Sequence, residues 1–305
     1  MKILVCDKIE PEAVERVRSA GIQVDVRADI TPEELASLIP QYEGVVVRSR
    51  TKIRSTLIDR GTNLKVIVRG GVGLDNIDAD YAATKGIAVL NTPAASSVSV
   101  AELTISYLFA LARRIYQATT SIKTGRWEKS KFEGSELSGK TLGIIGLGRI
   151  GQEVALRARA LGMRLIAYDP FITQDVSTEM TSLDELLSRS DYITLHLSYT
   201  DETHHMLGTA EFSRMKDGVF IINCDRGGII DEEALYNAII NGKVAGAALD
   251  VYEVEPLENI KLISLEQVIG SPHIGASTHE AQARVGVEVA SRLIDYYHKN
   301  YPPTP

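Results

Sequence analysis

Short β-branched runs alternate with amphipathic stretches from the first residues of the chain. Ile3 to Cys6, Val24 to Val26, Val45 to Val47, Val66 to Val68 and Ile87 to Val89 read as strands, and the segments between them carry apolar positions at helical spacing. In "TPEELASLI", Thr31 can cap a helix, Pro32 suits its first turn and Glu34 completes a capping box. A second series opens at "KTLGIIG", residues 140–146, and runs through "RLIAYD", "DYITLHL", "GVFIIN", "VAGAALDVY" and "EQVIG". Strands that alternate with helices build parallel sheets covered on both faces, so the fold class is α/β with two doubly wound parallel sheets.

Between the series lies "SVAELTISYLFALARRIY". Ser99 and Glu102 form a capping-box pattern, and Leu103, Leu108 and Leu111 are too closely spaced for a narrow apolar stripe, which predicts one helix buried between domains or at a subunit contact. The last helix, "THEAQARVGVEVASRLIDYYHKN", runs into the breaker-rich "YPPTP". The expected organisation is a discontinuous first domain, 1–97 with 285–305, into which a second domain, 98–284, is inserted.

Composition narrows the chemistry. With 305 residues, 44% hydrophobic and 24% charged, the chain can bury a sizeable core. A net charge of -7 and a pI near 5.5 argue against a broad nucleic-acid surface, so an anionic ligand must be held by a few specific residues. Cys6 and Cys224 give no disulfide framework and fit a reducing compartment. The start "MKILVCDKIE" lacks the regions of a signal peptide and no apolar run approaches a membrane span, so a cytoplasmic location without membrane partners is expected. Neighbouring histidines in a helix or strand do not share a face, so His204 and His205 are not expected to hold a metal.

"GLGRIG", Gly146 to Gly151, follows the strand "TLGII" and opens the helical "IGQEVALRARALG". In that context Gly146 allows a tight turn, Gly148 lets backbone approach a pyrophosphate and Gly151 lets helix and strand pack closely. Phosphates would sit on the helix N-terminus. Asp169 ends the next strand 18 residues past Gly151, near the roughly 20 expected for an acid that binds the adenosine ribose. A carboxylate there repels a 2′-phosphate, which favours NAD over NADP.

Three further strand ends carry ionisable groups: "FIINCDRGGIID" supplies Arg226, "GAALDVYEVEP" supplies Asp250 and Glu255, and "VIGSPHIGAST" supplies His273. Ligands of open α/β sheets bind outside the carboxyl ends of the strands, so these residues are expected on the cofactor's side. Taken singly, Arg226 and Glu255 could be surface ions and His273 a hydrogen-bonded histidine at a strand end.

The stretches "VRSRTKI", "VRGGVGLDNID", "NTPAASSVSVAEL", "GRWEKSKFEGSELSGKTLGIIGLGRIG", "INCDRGGIIDEEAL", "AALDVYEVEP" and "SPHIGAST", in this order, make nearly the whole chain resemble the D-isomer-specific 2-hydroxyacid dehydrogenases. The resemblance implies a Rossmann NAD-binding domain inserted into a flavodoxin-like substrate domain. It implies hydride transfer between C2 of a 2-hydroxy or 2-oxo acid and nicotinamide. Arg226 would hold the substrate carboxylate, His273 would act as general acid in reduction and base in oxidation, and Glu255 would fix the imidazole tautomer. Arg149 and Ile150 would contact the pyrophosphate, and His196 and Leu197 would wall the adenine. Asp250 would meet the nicotinamide carboxamide, while Val72, Cys224, Asp225, Gly275 and Ala276 would lie along the cofactor. Asp225 departs from the small neutral residue usual before the arginine, and Ser198 replaces the proline usual two residues after the histidine.

Resemblance to the phosphoglycerate branch of that family places Arg48 and Arg69 at a substrate phosphate, with Ser49, Gly71, Val72 and Asn91 lining the site. Arg50 and Lys52 read as solvated. Lys129 could reach across a dimer interface, and a homodimer on the apolar helix after residue 97 is expected. No C-terminal regulatory domain, and hence no feedback by serine, is expected. Hydroxypyruvate, glyoxylate and other D-2-hydroxyacid reductases remain alternatives, as do the NAD-sensing corepressors of the same family.

Overall fold

The computed structural model describes residues 1–258 and 260–301; the last four residues of "YPPTP" lie outside them. The chain divides into two compact units, Met1–Ser96 joined by the segment that begins at Ser277, and Ser97–Ala276. The second crossing therefore falls at the start of the last helix, His279–Asn300, which Thr278 caps by accepting the Ala281 N–H.

The first unit holds β1 (Lys2–Val5), β2 (Gln23–Val26), β3 (Gly44–Val47), β4 (Val66–Arg69) and β5 (Ala88–Asn91). They pair in the order β2-β1-β3-β4-β5, all parallel, the flavodoxin-like order. β3 is buried at every residue, as continuous apolar runs in a sheet covered on both faces require. One face packs Val5, Val14, Val46, Val68 and Leu293, the other Leu4, Leu35, Val45, Ile67 and Ile87. The predicted strands fall within one or two residues of these, and Thr31 and Glu34 form their capping box.

The second unit holds β6 (Thr141–Ile145), β7 (Arg164–Tyr168), β8 (Glu179–Met180), β9 (Tyr192–Leu195), β10 (Val219–Asn223), β11 (Val244–Leu249) and β12 (Val268–Gly270). Their order is β12-β11-β10-β9-β6-β7-β8, all parallel, and the winding reverses between β6 and β9. That is the Rossmann arrangement with one added edge strand. β8 has no apolar run to announce it; pairing with Ile166 and Ala167 makes it a strand.

The segment predicted as one helix after residue 97 is two, Ser97–Ala112 and Ile115–Lys123. Arg114 takes a left-handed backbone (φ 49°), and a later segment crosses the helix end: Ser135 N–H donates to Ala112 O at 2.9 Å, satisfying a carbonyl with no intrahelical partner. Ser99 stands inside the helix, buried, and is not its cap. No described helix is long and apolar enough to cross a membrane.

Gly151 decides how closely the helix Arg149–Ala160 meets the sheet, because a Cβ there would lie 2.1 Å from Gly146 O. Gly151→Ala is expected to lower stability by about 1–3 kcal/mol through this clash, read as a lower urea midpoint. An unchanged midpoint would mean that the close approach is not required.

Candidate active site

β6 ends at Ile145, and Gly146 turns the chain at φ 95°. A Cβ at Gly146 would lie 2.3 Å from His196 O, so the turn closes only on glycine. The Cβ direction of Gly148 faces open space, and the helix that begins at Arg149 and Ile150 follows at once. Its unpaired N–H groups therefore border an open, glycine-lined approach, the arrangement that receives a phosphate.

Asp169 follows β7 and is fixed by backbone donors. Oδ2 accepts Leu147 N–H from the glycine loop at 2.8 Å, and Oδ1 accepts Phe171 and Ile172 N–H at 2.8 and 3.0 Å. Oδ1 is thereby filled by two donors, whereas Oδ2, with one, keeps a lone pair for a ribose hydroxyl. The residues present thus fit a dinucleotide with an unsubstituted ribose. His196 is buried after β9 with Nε2 3.0 Å from Thr194 Oγ1, and burial pushes its pKa down to about 3, so the ring is neutral. Leu197 packs at the same turn, 3.0 Å from the Cβ position of Gly146. Burial raises the Cys224 thiol well above its ordinary range, so it stays protonated at neutral pH.

The three predicted catalytic side chains come from neighbouring strand ends. Asn223, the last residue of β10, donates from Nδ2 to Arg226 O at 2.8 Å and accepts Asp225 N–H at 3.1 Å, folding the Arg226 turn back on the strand. The Arg226 guanidinium donates to Asp225 O at 2.6 Å and lies 3.5 Å from Asp225 Oδ1. The acid beside Arg226 thus touches it directly.

The next strand, β11, leads into Asp250, which is fully buried. Its Oδ1 accepts from Ser271 Oγ and, at 2.8 Å, from Ile274 N–H, while Oδ2 accepts Gly275 N–H at 2.7 Å. Tyr107 OH sits 2.5 Å from Ser271 Oγ and extends the chain of bonds into the helix Ser97–Ala112. Asp250 O also accepts His273 N–H at 2.8 Å. One buried residue therefore organises the loop after β12, in which His273 is held left-handed at φ 52°, a conformation unfavourable for a non-glycine residue. Asp250, predicted to meet the carboxamide, has both oxygens already engaged in shaping this loop.

His273 Nδ1 meets Glu255 Oε2 at 2.7 Å, and Glu255 Oε1 accepts Tyr252 N–H at 3.1 Å. The bond to Glu255 raises the His273 pKa against the opposing effect of burial, with Asp250 adding to the rise and Arg226 subtracting. Burial works to raise Glu255, but the His273 bond and charge, Tyr252 N–H and Arg226 leave it below the usual carboxylate range. Both shifts favour an imidazolium–carboxylate pair whose Nε2 remains for proton transfer.

In the first unit, Arg48 follows β3. Its N–H donates to the buried Asp7 at 2.5 Å, its carbonyl accepts Asn76 Nδ2 at 2.6 Å, and its guanidinium bonds Gln282. Burial lowers its pKa. Ser49 is exposed beside it. Arg50, read as solvated, is exposed, and its guanidinium also binds Asp7 Oδ1 at 3.0 Å and the carbonyls of Ile30, Cys6 and Ala28. Lys52 is exposed. Arg69 ends β4 and folds its guanidinium over Gly71, where a Cβ would lie 2.3 Å from it. Asn91 Nδ2 donates to Val72 O at 2.5 Å. Lys129 is exposed in a short turn. His204 and His205 lie in a turn rather than a helix or strand, and with His205 at φ 49° their rings stack at 3.9 Å.

Sequence reading missed the residues that shape these loops. Ser271 and Asn223 stood inside motifs already singled out, and Asp7 follows the first strand. Tyr107 gave no signal, since its helix reads as apolar throughout.

Residues 105–275 match the model of the D-isomer specific 2-hydroxyacid dehydrogenase NAD binding domain. A D-3-phosphoglycerate dehydrogenase of Archaeoglobus fulgidus is 47% identical over 97% of this chain, which spans 57% of that protein. A hydroxypyruvate reductase of Thermotoga maritima is 49% identical, covering 96% of this chain and 97% of its own length. The structure of a D-lactate dehydrogenase from Aquifex aeolicus complexed with NAD and lactic acid aligns at a TM-score of 0.85 with 32% identity, over 98% of this chain and 96% of that one. With its glycine loop, Asp169 and the Arg226, Glu255 and His273 set in place, the chain belongs to the D-isomer specific 2-hydroxyacid dehydrogenases, and its cofactor is NAD.

Proposed function

We propose that this protein interconverts a D-2-hydroxy acid and its 2-oxo acid, and that the pair is D-3-phosphoglycerate and 3-phosphohydroxypyruvate, at the head of serine synthesis. The observation that carries the reaction class is the 2.7 Å bond between His273 Nδ1 and Glu255 Oε2 beside Arg226. Bound NAD supplies the hydride acceptor, and in the reverse direction NADH the donor. Arg226 binds the substrate carboxylate through its forked guanidinium, and its charge draws electron density from the neighbouring C2 carbonyl. His273 gives its Nε2 proton to the carbonyl oxygen during reduction and takes it from the hydroxyl during oxidation. Glu255 holds the Nδ1 proton and stabilises the imidazolium.

The phosphate assignment rests on Arg48 and Arg69, the charged members of the first-unit set, in a chain of net charge -7. The name of the Thermotoga maritima relative, matched along almost its whole length, favours hydroxypyruvate as a second reading. We further propose a homodimer through the helix Ile115–Lys123 and the segment after it, where Ile115, Tyr116, Ile122 and Trp127 are 52%, 59%, 57% and 85% exposed. Two buried, unpaired thiols accord with a cytoplasmic location.

Measured kcat/KM for NADH oxidation is expected to be highest with 3-phosphohydroxypyruvate against hydroxypyruvate and glyoxylate. Arg48→Ala or Arg69→Ala is expected to raise KM for the phosphorylated acid by about ten- to a hundredfold and to affect hydroxypyruvate little. Equal use of all three acids would make the protein a general D-2-hydroxyacid reductase.

His273→Ala is expected to lose about 10²- to 10⁴-fold in turnover while retaining NADH binding by fluorescence. Unchanged turnover would contradict the mechanism, and no turnover in the parent protein would favour a cofactor-sensing role. Since reduction consumes the imidazolium proton and the His273 pKa is raised, reductive activity should persist above the ordinary histidine range. It should fall as pH rises through that pKa, while oxidation gains on the same limb.

A further inference from the structure

Two loops carry Arg226 and Glu255, and a cluster outside the reacting groups ties them together. Glu232 N–H donates to Glu253 Oε1 at 3.0 Å, and Glu253 N–H donates to Glu232 Oε1 at 2.8 Å. The same Glu253 Oε1 lies 3.0 Å from His205 Nε2. Glu232 opens the helix Glu232–Ile240, so Glu253 supplies an acceptor to one of the N–H groups that a helix cannot satisfy itself.

His205 in turn belongs to a segment laid against the Arg226 loop. Its N–H donates to Gly228 O at 2.8 Å, Leu207 N–H to Ile229 O at 3.1 Å and Asp231 N–H to Leu207 O at 3.1 Å. At Gly227 the two catalytic loops touch so closely that a Cβ would lie 1.8 Å from Tyr252 O. Glu253 is thus a junction of three segments, one residue after Tyr252, whose N–H holds Glu255, and two before Glu255 itself.

A side-chain contact this exposed, with His205 and Glu253 side chains 36% and 34% accessible, contributes little to stability. Two reciprocal carboxylate-to-backbone bonds across separate loops do fix geometry, because each needs both loops in one register. We propose that Glu253, bonded to Glu232 and His205, is a positioning residue for the reaction, setting the loop that brings Glu255 to His273. This rests on the reading of Arg226, Glu255 and His273 as the catalytic set.

The readout is the pH dependence of reduction. The charged groups that act on His273 are Glu255, Asp250 and Arg226; loosening Glu255 removes the largest influence that raises it, so the alkaline limb moves to lower pH. In the whole 305-residue chain, with NADH and whichever of 3-phosphohydroxypyruvate or hydroxypyruvate is turned over, Glu253→Ala is expected to lower kcat by about ten- to a hundredfold. The limb should move down by about half a pH unit or more, with the NADH dissociation constant unchanged. Glu253→Gln keeps an oxygen able to accept both bonds and should recover most of the loss. His205→Ala, which removes one bond only, should shift the limb in the same direction and serves should Glu253→Ala not fold. Wild-type kcat and pH limb in Glu253→Ala, or in His205→Ala where the former does not fold, would overturn the proposal even if the melting temperature falls. A His273→Ala control separates the two readings: full turnover there sinks the catalytic assignment, whereas its loss beside an unaffected Glu253→Ala sinks the junction alone.

Discussion

All seven strands of the second sheet run parallel, so their carboxyl ends share one edge. The positions of the residues proposed for cofactor and catalysis in that unit follow from this constraint. The glycine loop leaves β6, Asp169 leaves β7, His196 leaves β9, Arg226 leaves the turn after β10, Asp250 and Glu255 follow β11, and His273 follows β12. A parallel sheet cannot be joined by tight hairpins, and its crossover helices cover both faces, so the edge is left to loops. The winding reverses between β6 and β9, the place where open α/β sheets bind ligands, and the glycine loop and the helix N-terminus at Arg149 stand there.

Loops at such an edge need internal support to hold side chains to within a fraction of an ångström. Buried carboxylates provide it in both units. Asp250 gathers Ser271, Ile274 and Gly275 and keeps His273 in a left-handed backbone. Asp7 gathers Arg48 N–H, Arg50 and Thr51 after β3. An acceptor with several lone pairs, removed from water, is satisfied only when the donors around it converge, which makes one loop conformation much more favourable than others. The same logic at lower burial links Glu253 to Glu232 and His205.

The strands and the glycine loop were legible because they rest on local pattern and fixed spacing, whereas the roles of Arg226, Glu255 and His273 came from the resemblance to a family. What was not legible depends on distant partners. The helix after Ser97 ends at Ala112, whose carbonyl accepts Ser135 N–H from a distant segment, and Arg114 turns left-handed; β8 exists only through its pairing with β7. Arg50 is exposed as read, but its bonds to the carbonyls of Cys6, Ala28 and Ile30 join segments far apart in the chain. That Asp250 also shapes the loop after β12 was not legible, because its donors Ser271, Ile274 and Gly275 lie more than twenty residues along the chain.

The electrostatic pairing of Glu255 with His273 is the centre of the proposed chemistry, and it can be observed without turnover. Titration of the His273 ring by heteronuclear NMR, in the wild-type protein and in Glu255→Gln, isolates it. A pKa above the ordinary histidine value that falls in the variant is the expected result. A His273 pKa at or below the ordinary value, unmoved by Glu255→Gln, would contradict the pairing and with it the proton-transfer role.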